Sequence, residues 1–216
     1  MNTKPSLPAL PEDFAARARV LGSSTLYEAS GLSCSVDPLV RSIWTGAFIA
    51  APAYPLVCSP GDNLSIHIAM ERVPRGWVLV VGTGNFVAGY WGEVLTVAAE
   101  AAGVVGLVID GGVRDVAAMT KRRFPVFARG ISVRGTVKAS APSVGESTMF
   151  TGVPVVPGDL VVADDDGVII IPATEAERTI TAGEARLAKE AEMMRQLAQG
   201  ASTLELMNLT EWRKQP

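Results

Sequence analysis

An α/β fold is what this sequence predicts, on three observations. Between Trp77 and Phe127, apolar runs of strand length alternate with apolar segments of helical spacing, in the order strand, helix, strand, helix, strand. Helical patterns precede that unit, and a long charged helix beginning near Thr174 follows it. The 216 residues, 48% of them hydrophobic, suffice for one sizeable core, either as one domain or as a domain with helical extensions.

Taken in order, a first helix fits Glu12 to Leu21 and is closed by Gly22, and Thr25-Leu26-Tyr27-Glu28 has capping-box form ahead of a short second helix. Phe48 to Val57, interrupted by Pro52 and Pro55, reads as an irregular or edge strand, and Gly61-Asp62-Asn63 as a turn or binding loop. Ile66 to Glu71 suits a helix, and Trp77 to Val81 an apolar strand after the turn signal Pro74-Arg75-Gly76. Glu93 to Ala102 has helical spacing and stops at Gly103. Val104 to Ile109 is a β-branched strand, Gly111-Gly112 permits a sharp turn, and Asp115 opens a helix to Arg122. Short strands follow at Ile131 to Ala139, Val153 to Val156, Leu160 to Ala163 and Val168 to Ile171, with Pro157-Gly158-Asp159 and Asp164-Asp165-Asp166-Gly167 as turns. Thr174-Glu175-Ala176-Glu177 is a second capping box, launching a helix that can run to Gln199. The tail Ala201 to Pro216 carries Leu204, Leu206, Met207, Leu209 and Trp212, which dock either on the chain's own body or on another subunit. The divisions are 1–24 as an N-terminal helical extension, 25–173 as the main domain and 174–216 as a C-terminal helix and tail.

Composition removes several functions. A net charge of -3 leaves no electrostatic footprint for nucleic acid. Met1 to Leu10 is polar and proline-bearing, with no segment long enough to span a membrane, so a soluble, cytoplasmic protein is expected. Cys34 and Cys58 form neither a disulfide framework nor a zinc motif. Gly82-Thr83-Gly84 follows a strand as a dinucleotide fingerprint would, but Val87 stands where the third glycine belongs, and no Walker A lysine motif exists. His67 is the single histidine, which removes two-histidine metal motifs. Its neighbours Ile66 and Ile68 do not suit a phosphohistidine loop, and no cofactor fingerprint supports a methyltransferase.

The chemistry concentrates at Leu107-Val108-Ile109-Asp110-Gly111-Gly112-Val113-Arg114-Asp115, where a cation and a carboxylate meet at a strand-to-helix junction. Exposed amides at the start of a helix favour an anion there. From the residues alone, Asp115 reads equally as a helix cap, Arg114 as an exposed charge and Gly92 as a plain turn before Glu93.

Joint spacing carries more. Gly89-Tyr90-Trp91-Gly92-Glu93-Val94-Leu95, the Gly106 to Asp115 stretch, Phe124-Pro125-Val126, Gly135-Thr136-Val137-Lys138 and Pro157-Gly158-Asp159 through Val168 together resemble the class II, metal-dependent pyruvate aldolases. Those enzymes cleave 4-hydroxy-4-methyl-2-oxoglutarate and 4-carboxy-4-hydroxy-2-oxoadipate, intermediates of aromatic compound degradation, and belong with the RraA-like regulators of ribonuclease E. The resemblance implies a swivelling β/β/α fold with N-terminal helices and a long C-terminal helix, in trimers or hexamers with active sites at subunit interfaces. It places Arg114 on the pyruvate-binding arginine, Asp115 on the metal-ligating aspartate, and Gly92, Glu93, Val94 and Leu95 on the loop that holds the substrate carboxylate. Glu93 stands where those aldolases usually carry the aspartate that holds or deprotonates metal-bound water, which also makes it a candidate catalytic residue. Glu28 matches an acidic family position, Lys138 and Arg134 line the anionic pocket, and Asp62, Asn63 and His67 face the distal carboxylates. The implied cofactor is Mg²⁺ or Mn²⁺, the implied substrate a 4-hydroxy-2-oxo acid, and oxaloacetate decarboxylation a side activity. The alternative is a non-enzymatic regulator that binds ribonuclease E or an associated protein.

Overall fold

The computed structural model describes Leu10 and residues 13–214. The span α1 (Phe14–Ser30) is interrupted at Gly22, whose φ of 74° and ψ of 165° are non-helical, so the first helix closes at Gly22 as expected and a second short one follows it. Glu12, the expected start, lies outside the described residues. The capping box at Thr25 does not form. The second half of α1 begins at Ser23, whose N–H donates to Asp164 Oδ2 (2.7 Å) and whose hydroxyl donates to Asp164 Oδ1 (2.6 Å), so a carboxylate distant in sequence supplies the cap.

After α1 come β1 (Arg41–Ser42), β2 (Ile49–Val57), α2 (Leu64–Met70), β3 (Val78–Gly82), β4 (Gly89–Trp91), α3 (Glu93–Ala102), β5 (Gly106–Val113), α4 (Val116–Arg122) and β6 (Val126–Ile131). The chain continues through β7 (Ser143–Val144), β8 (Thr148–Phe150), β9 (Val153–Val155), β10 (Leu160–Asp164), β11 (Gly167–Ile171), α5 (Ala176–Ala198) and α6 (Thr203–Leu206). The main sheet runs β1-β6-β5-β3-β2-β10-β11, with β4 joined to β5 and β7 to β2, while β8 and β9 pair separately. Strands β2, β3, β5 and β6 are mutually parallel, and β10 and β11 close the far side as an antiparallel hairpin.

Alternation along the strands splits the core. Leu79, Val81, Leu107 and Ile109 face α2, α3 and α4 through Ile66, Leu95 and Met119, whereas Val78, Val80 and Val108 face Phe150, Val153 and Val155. Helices α1 and α5 cover β10 and β11 through Phe14, Leu21, Leu26 and Ile180. No helix among the described residues is long and apolar enough to cross a membrane.

Four expectations about individual elements are corrected. Strand β2 is interior, not an edge, because its prolines fall where the ladders have gaps. Ala53 directs its N–H to Asp159 on the β10 side (2.7 Å), so Pro55 faces that side too, past the end of the β10 ladder at Pro52. Pro52 precedes the β3 ladder, which begins at Ala53. Gly111-Gly112 is not a turn; β5 runs extended through both to Val113. The glycines allow close approach, since a Cβ on Gly111 would stand 2.9 Å from the Thr83 side chain and one on Gly112 2.6 Å from the Ala88 carbonyl oxygen. Residues 132–142 form a loop with one isolated bridge at Val137, not a strand. The Thr174 capping box gives way to a 3₁₀ turn (Ala173–Glu175), and Asp159 Oδ1 accepts from the Ala173 N–H (3.0 Å) instead. In the tail, Ser202 and Glu205 form a capping box on α6, and Met207, Leu209 and Trp212 remain exposed.

Candidate active site

Strand β5 runs past the end of β3 and there picks up β4, which opens a crevice at the carboxyl ends of the parallel strands. Two segments meet in it. Arg114 donates its N–H to the Trp91 carbonyl at the end of β4 (2.8 Å), and Asp115 follows with φ 57° and ψ 37°, a left-handed turn that aspartate tolerates.

Asp115 does not cap the helix it precedes. Its Oδ2 accepts the N–H of Glu93 at the start of α3 (3.0 Å), reaching from one helix to the amino end of another. Gly92 must be bare for this, because a Cβ there would collide with Asp115 Oδ2 and stand 3.1 Å from Arg114 Cγ. Its φ of −163° is ordinary extended backbone, so close approach alone selects glycine. The first helical bond of α3 runs from the Thr96 N–H to the Gly92 carbonyl (3.0 Å), and the preceding amides of Val94 and Leu95 lie at the positive end of the helix. Trp91 fixes this start from below, donating to Thr96 Oγ1 (2.8 Å) and stacking on Phe124 at 6.0 Å.

Gly92, Val94, Leu95, Arg114 and Asp115 line a cavity of about 290 Å³ together with Asn63 just before α2, His67 within it, and Gly135, Thr136 and Lys138 of the loop 132–142. Arg114 and Lys138 supply positive charge, and among the described residues Asp115 is the one carboxylate in the lining. Burial, and then Lys138, hold the His67 pKa below its ordinary value, which keeps the ring neutral near pH 7. Among the described residues no three His, Cys, Asp or Glu side chains gather as a metal cage. A single carboxylate beside open space suits a hard divalent ion that keeps waters and takes further oxygens from a chelating ligand.

Gly92, Val94, Leu95, Arg114 and Asp115 thus share one cavity. Glu93 enters it differently from the expectation: its backbone N–H holds Asp115, while its carboxylate turns outward to Arg122 Nε (3.4 Å), which in turn pairs with Glu100 (3.0 Å). Asn63, His67 and Lys138 line the cavity, but Asp62 does not; it is buried beneath it. Arg134 lies over the Phe86 ring at 4.9 Å, with its carbonyl accepting the Gly89 N–H (2.7 Å). Glu28 sits on α1 and pairs with Arg186 of α5, outside this cavity. Tyr90, Trp91, Gly135 and Thr136 line the cavity without having been assigned a role from sequence. Their only signal was membership in the two glycine-led motifs.

The crevice at the strand ends, with an arginine, an aspartate and a helix start converging on it, is the candidate site of an α/β protein. More particularly, the family model for RraA-like proteins, described as Aldolase/RraA, matches residues 23–170, and the chain belongs to that family. A protein of Halalkalibacterium halodurans named "Putative 4-hydroxy-4-methyl-2-oxoglutarate aldolase" is 28% identical over 169 residues, covering 78% of this chain and 80% of its own. The crystal structure of an uncharacterized protein from Pseudomonas syringae has a TM-score of 0.83 at 24% identity, covering 97% of this chain and 99% of its own. Streptomyces coelicolor RraAS2, described as an unusual member of the RNase ES inhibitor RraA protein family, has a TM-score of 0.74 at 24% identity, covering 87% of this chain and 100% of its own. Likeness at that identity shows the fold alone.

Proposed function

We propose that the chain is a metal-dependent aldolase that cleaves a 4-hydroxy-2-oxo di- or tricarboxylic acid to pyruvate and a second 2-oxo acid, with oxaloacetate decarboxylation as a side activity. One observation carries the reading. The Asp115 carboxylate, released from capping its own helix, stands with Arg114 and the bare Gly92 at the mouth of the α3 amide cluster.

Asp115 would hold Mg²⁺ or Mn²⁺, which when bound supplies Lewis acidity toward the 2-oxo group. The amides of Val94 and Leu95 bind the C1 carboxylate at the positive end of α3. Arg114 places a fixed cation beside the oxygen that gains charge as the C3–C4 bond breaks, a pre-organised contribution that needs no rearrangement during the reaction. The distal half then lies toward Lys138, Thr136 and His67. The outward turn of Glu93 leaves the C4 hydroxyl proton to a base outside the described lining, and a carboxylate of a second copy is our assignment. Exposed Val94, Val133 and Val137, in or beside the lining segments, support a homo-oligomer with the site at its interface.

Purified protein stripped with EDTA and resupplied with Mg²⁺ is expected to release pyruvate from 4-hydroxy-4-methyl-2-oxoglutarate. Turnover that survives stripping overturns the reading. Membership in a family described as Aldolase/RraA keeps a regulator of ribonuclease E as the second reading; it requires a pull-down of that enzyme by a chain that binds neither Mg²⁺ nor oxalate in calorimetry.

A further inference from the structure

Asp62 is 3% exposed, and its carboxylate is fully engaged. Oδ1 accepts the N–H of Leu64 in the first turn of α2 (2.9 Å). Oδ2 accepts the N–H groups of Ala139 (2.7 Å) and Ser140 (2.8 Å), with the Ser140 hydroxyl at 3.2 Å. The Leu64 amide first, and the two loop amides after it, hold its carboxyl below the usual carboxylate range. Besides Asp62, the segment is tied by the Ser132 N–H to the Val113 carbonyl (2.9 Å), by the Arg134 carbonyl to the Gly89 N–H (2.7 Å) and by the Ser140 hydroxyl to Ser59 Oγ (2.9 Å). Val137 exchanges backbone bonds with Gly61 (2.9 Å) and Asn63 (3.1 Å), and residues 132–142 otherwise form no strand or helix. That segment carries Gly135, Thr136 and Lys138, one wall of the cavity, and Asn63 just before α2 and His67 within it form the adjoining wall.

We propose that Asp62 is a positioning residue for the candidate site: its carboxylate clasps the loop 132–142 to the start of α2 and so fixes Lys138 and Thr136 where the distal half of the substrate lies. The proposal rests on the aldolase reading for the identity of that distal half. The clasp acts on one end of the site only, since Arg114, Asp115 and Gly92 are held by β5, β4 and α3. Coulomb attraction works in the opposite direction. Removing a negative charge near an anion site would by itself tighten anion binding, so a loss of affinity isolates the geometric role.

Asp62→Asn keeps the shape of the side chain but replaces one acceptor oxygen with a donor that faces donors. In the full-length protein with Mg²⁺, KM for 4-hydroxy-4-methyl-2-oxoglutarate is expected to rise about 10-fold, with kcat within about 3-fold. Oxalate, which fits only the Arg114–Asp115 end, keeps its Kd within about 3-fold in calorimetry, because separated sites behave independently. Without any ligand, amide exchange across residues 132–142 is expected to quicken in the variant. Lys138→Ala reproduces the KM rise, and the double variant adds little to either single one, as residues acting through one contact do. Should Asp62→Asn not fold, Ser140→Ala removes one donor of the clasp and is expected to show the same split at about 2-fold. Unchanged exchange and KM, or oxalate affinity falling in step with KM, overturns the proposal. Absence of turnover in the wild type sinks the aldolase reading instead, and the exchange comparison still decides whether the clasp exists.

Discussion

Two of the aspartate-bearing turns that follow strands in this molecule differ in what surrounds their carboxylates. The turn Asp164-Asp165-Asp166-Gly167 joins β10 to β11 and carries three carboxylates; the turn at Arg114-Asp115 joins β5 to α4 and carries one. Each of the former three holds at least one donor of the protein, and Asp164 uses both oxygens. Asp164 caps the second half of α1, Asp165 accepts the Gly46 N–H at 3.0 Å, and Asp166 accepts the Ser24 hydroxyl at 3.0 Å. Asp115 holds a single amide with one oxygen and opens on a cavity beside a cation. Counting acidic residues would rank the acidic turn first; what sets Asp115 apart is the start of α3 and the bare Gly92 that share its cavity.

The largest expected difference between the turns is in turnover. Asp115→Ala should lower kcat/KM for the 4-hydroxy-2-oxo acid by about 1,000-fold or more, as loss of a metal ligand does, with the circular dichroism spectrum unchanged. Full activity in that variant would erase the contrast between the turns. Arg114→Ala should cost about 100-fold, and Arg114→Lys should recover only part, because a lysine offers charge without the planar fork.

A smaller loss, about 30-fold, is expected for Gly92→Ala, since the methyl displaces the Asp115 carboxylate while the extended backbone accepts alanine. An unchanged rate there would mean that the carboxylate has room to spare. Glu93→Gln is expected to stay within about 3-fold, because what the site uses is the Glu93 amide, and the exposed pair with Arg122 is worth little. A drop beyond about 100-fold would make the Glu93 carboxylate the base and reinstate the role that the resemblance gave it.

What the sequence made legible follows the same division. Helix α3 is bracketed by Gly92 and Gly103, and both its ends were read correctly, because capping and stop signals are local. Gly111-Gly112 was misread because a glycine pair looks alike whether it serves a turn or a close approach, and the deciding atoms belong to Thr83 and Ala88. The two capping boxes failed for the same reason, since Asp164 and Asp159 supply from afar what Thr25 and Thr174 offered locally. In the site, residue types were readable but directions were not. Asp115 and Glu93 are 22 residues apart, and only the folded register of β4 on β5 shows that a backbone amide, not a carboxylate, is the contact between them.

The least effect on turnover belongs to the acidic turn, and it tests the comparison from its other side. Asp164→Ala removes the acceptor of the Ser23 N–H and hydroxyl and of the Asp166 N–H. Loss of a helix cap costs about 1–2 kcal/mol, which chemical denaturation would read as a lower midpoint with the same slope. The Gly22 bend adjoins that cap, and α1 packs against α5 through Leu21 and Leu26 beside Gly183, so the loss should also loosen α5 in amide exchange. Mg²⁺ affinity and kcat/KM are expected to stay at wild-type values. If metal affinity fell with Asp164→Ala and not with Asp115→Ala, the cation would belong to the β10–β11 turn.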